Sequence, residues 1–436
     1  MKHTDNQNQD SFFQLGLMQV DIPQDNELVR ISKEIDWDKM IELVSRKYSG
    51  KRGRNSKSLR MMIALEIAKR KLGLSDKDIV EQLKVDIALK VFCGFKSFHH
   101  DIPDASTLTY FRRRLDSETL RQLEEVNIQR IIRKVPKRIR HQVISDTTCV
   151  PANITYPTDS KLLATAWKKL VGVAERIRGM GVSLVIRGKR KIASAIRNFN
   201  LRRKKTKAEV KKMNGKLIRA VSRAIHFVRR HIQKTNEELK TSVQKIFDAA
   251  QAILEQQRTL LRQRVRRIKD RIVSFHEPNV RPLFRGKDGK TTEFGPKVCM
   301  NVIGGALVQT AKLSHNNFSD TEIVDAGLET HRGTFDRYPK EFIADRGAHS
   351  PKNHHRLAEC SIIDGVQYRG KIPKNTHLPP PKTIRRMYRR RTLVEGKIGT
   401  FKTRYQGDRN RYADKNAQCW VSFGFITMNA AWAAAH

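Results

Sequence analysis

Three acidic residues occupy positions from which they could carry out phosphodiester chemistry. Asp146 lies in VISDTTCV, Asp345 ends the short apolar run EFIAD, and Glu395 is surrounded by cations in MYRRRTLVEGKIGTFKTRY. Phosphodiester cleavage needs an activated oxygen nucleophile and a stabilised leaving oxygen, and two divalent ions about 3.5–4 Å apart can supply both. Mg²⁺ prefers oxygen ligands, so three carboxylates from distant segments would suffice. Taken singly, each aspartate is more often a cap or turn residue.

The glutamate is more informative because its neighbours recur at helical spacing. Tyr388, Arg391, Glu395 and Lys402 are separated by 3, 4 and 7 residues. At about 100° per residue they fall within an arc of about 60°, so one helix face would present all four side chains. The alternative is a simple Arg391–Glu395 pair at i,i+4, which is worth only a few tenths of a kcal/mol.

The charge of the chain indicates a polyanionic partner. Lysine and arginine number 87 against 44 aspartates and glutamates, which gives a formal charge of +43. Neutralising phosphates releases counterions, so nucleic acid is the leading candidate and an anionic membrane surface the second. With 7% aromatic residues and no RNP-like motif, an RNA-binding protein is poorly supported.

Targeting signals and cysteine pairs are not recognisable in the sequence. No segment reads as a signal peptide or a membrane anchor, and the apolar C-terminal stretch CWVSFGFITMNAAWAAAH reads as a buried helix. The five cysteines form no C-x-x-C pair, which argues against a zinc site and a disulfide framework. We therefore expect a cytoplasmic protein.

The acids must be positioned by elements that the pattern predicts. Residues 50–135 read as short helices, capped by Ser58 or Asn55, by Ser75, and by Asp104 or Ser106. The last of these helices carries Arg112, Arg113 and Arg114 near its end, which suits a helical DNA-binding module or a bundle with a solvated basic face.

Strand patterns flank the acids on both sides of a long helical region. Asp146 and Asp345 each lie near the end of a predicted strand, and Gly304-Gly305 predicts a hairpin between two apolar runs. A further strand is predicted in GVQYRGKIPK, and the segment of Glu395 is predicted to be helical. This alternation predicts one mixed α/β domain that is split by an insertion.

The insertion reads as a long basic helix. Ile218, Ile225, Ile232, Leu239 and three later apolar residues recur every seven residues, and a stutter follows. We expect one long helix that packs on the shorter helices of 160–200. Residues 165–275 contain 31 lysines and arginines against 7 acids, so this segment is either an arm that binds the DNA backbone or a coiled-coil spacer.

These motifs together resemble insertion-sequence transposases of the DDE class. Tyr388-x₂-Arg391-x₃-Glu395-x₆-Lys402 matches the tyrosine–arginine–glutamate–lysine signature of that family. The segment ISDTTCVPANITYPTDSKLL looks like its first aspartate block, and IADRGAHS like its second. The helical segment before residue 135 is similar to the N-terminal domain of the same enzymes.

The resemblance implies a ribonuclease H-like α/β catalytic domain, interrupted by a coiled-coil insertion and preceded by an all-α domain. It implies that Asp146, Asp345 and Glu395 bind two Mg²⁺ ions, or Mn²⁺ in their place. The expected boundaries are 1–49 for a tail, 50–135 for the DNA-binding domain, 136–164 and 276–436 for the catalytic domain, and 165–275 for the insertion.

The resemblance also implies the reaction and the partners. Hydrolysis at a transposon end would free a 3′-hydroxyl, which would then join target DNA. The expected partners are double-stranded DNA, as terminal inverted repeats and as target, and a second copy of the chain in a prokaryotic, nucleoid-associated homodimer. The expected DNA-binding residues are Tyr388, Arg389, Arg390, Arg391, Lys402, Arg112, Arg113 and Arg114. The alternative is a DNA-binding or scaffold protein that has lost catalysis.

Overall fold

The computed structural model describes most of the chain in two compact units. The described residues are 22–48, 55–95, 101–182, 186, 188–233, 235, 237–263, 268–287, 290–370, 379–412 and 416–436. The first unit combines Met1–Pro151 with Pro296–His436, and the second is Ala152–Gly295. The second unit therefore begins before and ends after the expected insertion at 165–275.

The first unit opens with short helices whose ends follow local capping rules. They are α1 (Glu27–Lys33), α2 (Trp37–Ser45), α3 (Leu59–Leu72), α4 (Asp76–Val85), α5 (Ile87–Phe92), α6 (Ala105–Arg114) and α7 (Ser117–Ile131). The Ser58, Ser75 and Asp104 side chains accept hydrogen bonds from the first turns of α3, α4 and α6, as the sequence predicts. Gly73, in the left-handed region at φ 73°, ends α3.

A five-stranded sheet forms the centre of the first unit. Its strands and the helices that alternate with them are β1 (Gln142–Cys149), β4 (Lys297–Ile303), β5 (Leu307–Ser314), α12 (Ile323–Phe335), β6 (Glu341–Ala344), α13 (Pro351–Glu359), β7 (Ile363–Val366) and α14 (Pro381–Arg404). The strand order is β5-β4-β1-β6-β7. The strand β1 pairs antiparallel with β4 and parallel with β6, and β6 pairs parallel with β7. The predicted hairpin at Gly304-Gly305 joins β4 to β5, and both glycines have positive φ. The strand predicted in 365–374 lies mostly after β7, and its residues 371–374 are outside the described part.

The last helix, α15 (Ala417–Ala435), is buried as the sequence predicts. Phe423 and Ile426 pack in the core of the N-terminal helices, whereas Trp420, Val421 and Phe425 pack in the core beneath β1 and α14. A helix buried between two cores is apolar all round, which explains its composition. In the part of the chain that the structure describes, no helix is long and apolar enough to cross a membrane.

The second unit corrects the prediction of one long helix. It contains α8 (Asp159–Gly179), α9 (Lys189–Leu201), α10 (Lys207–Ile232), α11 (Glu237–Arg262) and a hairpin of β2 (Pro282–Lys287) and β3 (Lys290–Phe294). The helix α10 ends at Ile232 and α11 begins at Glu237, and both pack against α8. The seven-residue apolar row continues across the break because it supplies the bundle core on both helices. Residues 268–275, predicted to belong to the helical insertion, form no helix.

Candidate active site

The first two acids of the predicted triad lie near the end of the pairing between two adjacent strands. Ile144 of β1 pairs with Ile343 of β6, which is the last pair between these strands. Asp146 lies two residues further along β1, and alternation places it on the sheet face of Ile144. Asp345 directly follows β6, which ends at Ala344. The parallel register thus brings two segments that are far apart in sequence to the same end of this strand pair.

The helix that carries Glu395 packs on that same face. Met387, Val394 and Phe401 of α14 are buried in one core with Ile144 and Ile343. These three buried residues are seven positions apart and form one row along the helix. Tyr388, Glu395 and Lys402 each directly follow one residue of this row. The helix therefore presents the predicted column at the edge of its contact with β1 and β6.

The signature residues and their neighbours on α14 differ in environment. Glu395 is exposed, and its Oε1 lies 2.8 Å from Nη1 of Arg391. The i,i+4 ion pair that was the alternative explanation of the sequence spacing is therefore present. Burial and the charge of Asp364 raise the pKa of Tyr388, and the positive charge of Arg346 opposes them. Lys402 is half-buried, Arg389 is exposed, and burial lowers the pKa of half-buried Arg390.

The three acids offer the hard oxygen ligands that Mg²⁺ prefers. Within the described ranges, no three histidine, cysteine, aspartate or glutamate side chains are grouped closely enough to hold a metal ion as they stand. Asp345 accepts a hydrogen bond from Gly347 N at 2.9 Å. The Glu395 side chain is 54% exposed in its pair with Arg391, so leaving that pair would cost only a few tenths of a kcal/mol. The oxygen chemistry of the three acids suits a divalent ion and the ion pair is no substantial barrier, but the three carboxylates are not grouped into a site as they stand.

A fourth carboxylate, Asp320, lies beside this site although its sequence position gave no reason to group it with the others. Its Oδ1 accepts a hydrogen bond from Thr147 Oγ1 at 3.2 Å and pairs with Lys297 Nζ at 2.7 Å. A Cβ on Gly347 would lie 2.9 Å from Asp345 Oδ1 and 3.0 Å from Asp320 Oδ2. Glycine at 347 therefore lets the two carboxylates approach the same turn.

The structure corrects the predicted DNA contact of Arg112. Its side chain is 4% exposed and forms ion pairs with Glu66 at 2.7 Å and with Asp76 at 2.6 Å. Burial alone would raise the pKa of Glu66, but the charges of Lys69 and Arg112 hold it below its ordinary value. Arg112 is thus a structural residue that is not available to a phosphate.

The two neighbouring arginines remain accessible. Arg113 and Arg114 are exposed, and their guanidinium groups lie over the rings of Tyr110 and Tyr48 at 5.6 and 4.7 Å. Their predicted role in DNA binding stays a prediction.

Comparison with known proteins identifies the family of the chain. The family model described as "Transposase DDE domain" matches residues 140–429, and the one described as "Transposase domain (DUF772)" matches residues 18–114. A protein of Rhizobium meliloti, "Uncharacterized protein ORF8 in nfe locus", is 33% identical over 152 residues, which cover 34% of this chain and 73% of that protein. No solved structure matches the chain.

Because the DDE model spans more than half of its length, the chain belongs to the DDE transposase family. This confirms the family recognised in the sequence and implies a ribonuclease H-like fold, in agreement with the five-stranded mixed sheet. The family also implies DNA binding. The roles of the individual acids and of the tyrosine–arginine–glutamate–lysine column remain predictions.

Proposed function

We propose that the chain is an insertion-sequence transposase that cuts transposon ends by metal-assisted hydrolysis and joins the freed 3′-hydroxyl to target DNA. Asp146, Asp345 and Glu395 are the proposed catalytic and metal-binding residues. The observation that supports this proposal is the pairing of Ile144 with Ile343, close to Asp146 and Asp345, together with the packing of both isoleucines against the helix of Glu395.

Each residue of the site has a separate task in this proposal. The three carboxylates would hold two Mg²⁺ ions, which supply an activated nucleophile and charge stabilisation at the leaving oxygen. Arg391 and Lys402 would bind phosphate oxygens beside the scissile bond, and half-buried Tyr388 would orient the same strand. Arg389 and Arg390 would hold the flanking backbone.

The basic second unit is proposed to bind the DNA backbone outside the site. Its residues 165–275 contain 31 lysines and arginines against 7 acids, and exposed residues such as Arg203 and Lys204 contribute to this excess. Such a surface gains affinity by releasing counterions from DNA. The proposed assembly is a homodimer on double-stranded DNA in a prokaryotic cytoplasm, because two transposon ends must be brought together.

Cleavage of a DNA fragment that carries the element's own terminal repeat tests the proposal. We expect Mg²⁺-dependent cutting by the wild type and its loss in Glu395→Gln. The matched control is Glu42→Gln, which removes another exposed i,i+4 glutamate–arginine pair, Glu42–Arg46 at 2.7 Å. Cutting that persists in Glu395→Gln would overturn the assignment of Glu395.

The alternative function, a catalytically inactive DNA-binding or scaffold protein, predicts a different outcome of the same experiment. The wild type would then bind the terminal repeat but would not cut it with Mg²⁺ or Mn²⁺. The existing Arg391–Glu395 pair is the observation that favours this reading.

A further inference from the structure

A hydrogen-bonded chain of two histidines and an aspartate lies behind the turn that follows Asp345. His349 Nδ1 lies 2.8 Å from His354 Nε2, and His354 Nδ1 contacts Asp364 Oδ2. Both the His354 and the Asp364 side chains are nearly buried, at 11% and 12% exposure. Tyr368 stacks on the His354 ring with centroids 3.9 Å apart, which holds that ring in place.

The chemistry of these groups determines where the protons can lie. A carboxylate only accepts hydrogen bonds, so Nδ1 of His354 carries a proton towards Asp364. One further proton occupies the bond between His349 Nδ1 and His354 Nε2. In the neutral pair this leaves Nε2 of His349 with a free lone pair. A proton taken up there would let the shared proton shift to His354, whose positive charge would then face the Asp364 carboxylate.

His349, at the open end of this chain, follows Asp345 by one short turn. His349 follows the 3₁₀ turn Arg346–Ala348, which begins at Asp345. With about 2 Å of rise per residue, the Cα atoms of Asp345 and His349 are no more than about 8 Å apart along this turn. Proton acceptance requires, in the complex with DNA, that Nε2 of His349 come within about 2.6–3.2 Å of the attacking hydroxyl or be linked to it by one water molecule.

Charged groups around this hydrogen-bonded chain of His349, His354 and Asp364, called the relay below, keep His349 available as a base. Burial, His354 and Arg369 lower the pKa of His349, whereas Asp364 raises it. Arg369 Nε donates a hydrogen bond to Arg346 O at 2.7 Å, which ties the strand end to the turn. The charge of Asp364 raises the pKa of Tyr388 on α14, and the charge of Arg346 lowers it, so the relay also lies near the helix that carries Glu395.

We propose that His349 accepts the proton of the hydroxyl group that attacks the phosphodiester, with His354 and Asp364 as positioning residues behind it. This inference rests on the proposed function. As the bond between the water oxygen and phosphorus forms, the bond from phosphorus to the 3′ oxygen breaks. One water proton passes to Nε2 of His349, the 3′ oxygen takes a proton from solvent, and the relay later returns its own proton to solvent.

Chemical rescue in the full-length protein tests this role. The assay is Mg²⁺-dependent cleavage of terminal-repeat DNA by wild type, His349→Ala and Asp364→Asn. The control is His355→Ala on the helix of His354, because the His355 side chain is 75% exposed and pairs only peripherally with Glu359 at 3.1 Å. We expect His349→Ala to lose about 100-fold or more in rate, in line with general base catalysis. Added imidazole should restore part of that rate, whereas His355→Ala should cut normally.

The pH profile separates proton acceptance from simple support of the turn. Asp364→Asn should move the acidic limb of the rate profile to lower pH, because the carboxylate that raises the pKa of His349 is gone. An unchanged rate in His349→Ala, or a loss that imidazole does not restore while the melting temperature is unchanged, overturns the inference. If the wild type cuts DNA and Glu395→Gln does not, either of these two results with His349→Ala shows that only the assignment of the relay is wrong. If the wild type does not cut at all, the proposed function itself has failed.

Discussion

Phe401 anchors the helix of Glu395, and its packing leads to a prediction about coupled substitutions. The ring is fully buried and meets Phe425 edge-on at 4.9 Å. A Cβ on Gly424 would lie 2.6 Å from Phe401 Cε2, and a Cβ on Gly407 would meet the opposite edge of the ring. The ring therefore cannot move away from an added methyl group at 424.

The size of the effect follows from two opposing contributions. Overpacking a core costs roughly 1–3 kcal/mol, whereas alanine is favoured over glycine inside a helix by up to about 1 kcal/mol. Gly424→Ala should thus destabilise the wild type by up to about 2 kcal/mol. Phe401→Ala should cost about 3–5 kcal/mol because it leaves a cavity. In that background the methyl group meets no ring, so Gly424→Ala should stabilise by up to about 1 kcal/mol.

Urea denaturation of the four proteins measures this change of sign. Tryptophan emission is a suitable signal because Trp420 is buried in the same core. The double-mutant cycle should give a coupling energy of about 1–3 kcal/mol, and Phe401→Ala should also slow DNA cleavage because α14 is no longer held. If Gly424→Ala has the same sign and size in both backgrounds, the packing argument is wrong.

Three further substitutions test other parts of the molecule. Burial raises the pKa of Glu124 from its ordinary value of 4.5 to about 6, so native stability should fall by about 2 kcal/mol as pH rises from 4.5 to 6; urea denaturation across this pH range should show Glu124→Gln lacking that fall. Arg112→Met should cost about 3 kcal/mol in unfolding free energy because it breaks buried ion pairs with Glu66 and Asp76 while Lys69 still pairs with Glu66, whereas exposed Arg113→Ala should stay within about 0.5 kcal/mol; equal effects would contradict the buried network. Replacing Arg203 and Lys204 by glutamine should lower the slope of log K for DNA binding against log salt by about 2, measured by fluorescence anisotropy; an unchanged slope would show that this surface does not bind the backbone.

Features that depend on near neighbours in the chain could be predicted from the sequence. The caps at Ser58, Ser75 and Asp104 and the turn at Gly304-Gly305 use side-chain and backbone preferences that act over a few residues. The column on α14 follows from the constant angle between successive residues of a helix. Length and apolar composition likewise identified α15 as a buried helix.

A sequence pattern that is compatible with two different structures does not predict which of them forms. The apolar row from Ile218 to Ile253 has the same spacing whether the helix continues or folds back after Ile232. Only the packing of α10 and α11 on α8 decided between these possibilities. Arg112 looks like its exposed neighbours in the sequence, and its burial depends on Glu66 and Asp76, which arrive from other helices.

The sequence by itself determined the family, the helix of Glu395 and the strands of Asp146 and Asp345, because these follow from local spacing and composition. The tertiary structure decided that the strand of Asp146 pairs with the strand that ends just before Asp345, that Asp320 approaches the turn after Asp345, and that Arg112 is buried. Such relations join residues that are far apart along the chain. Strand register and helix packing create them, and neither is encoded in the spacing of any single segment.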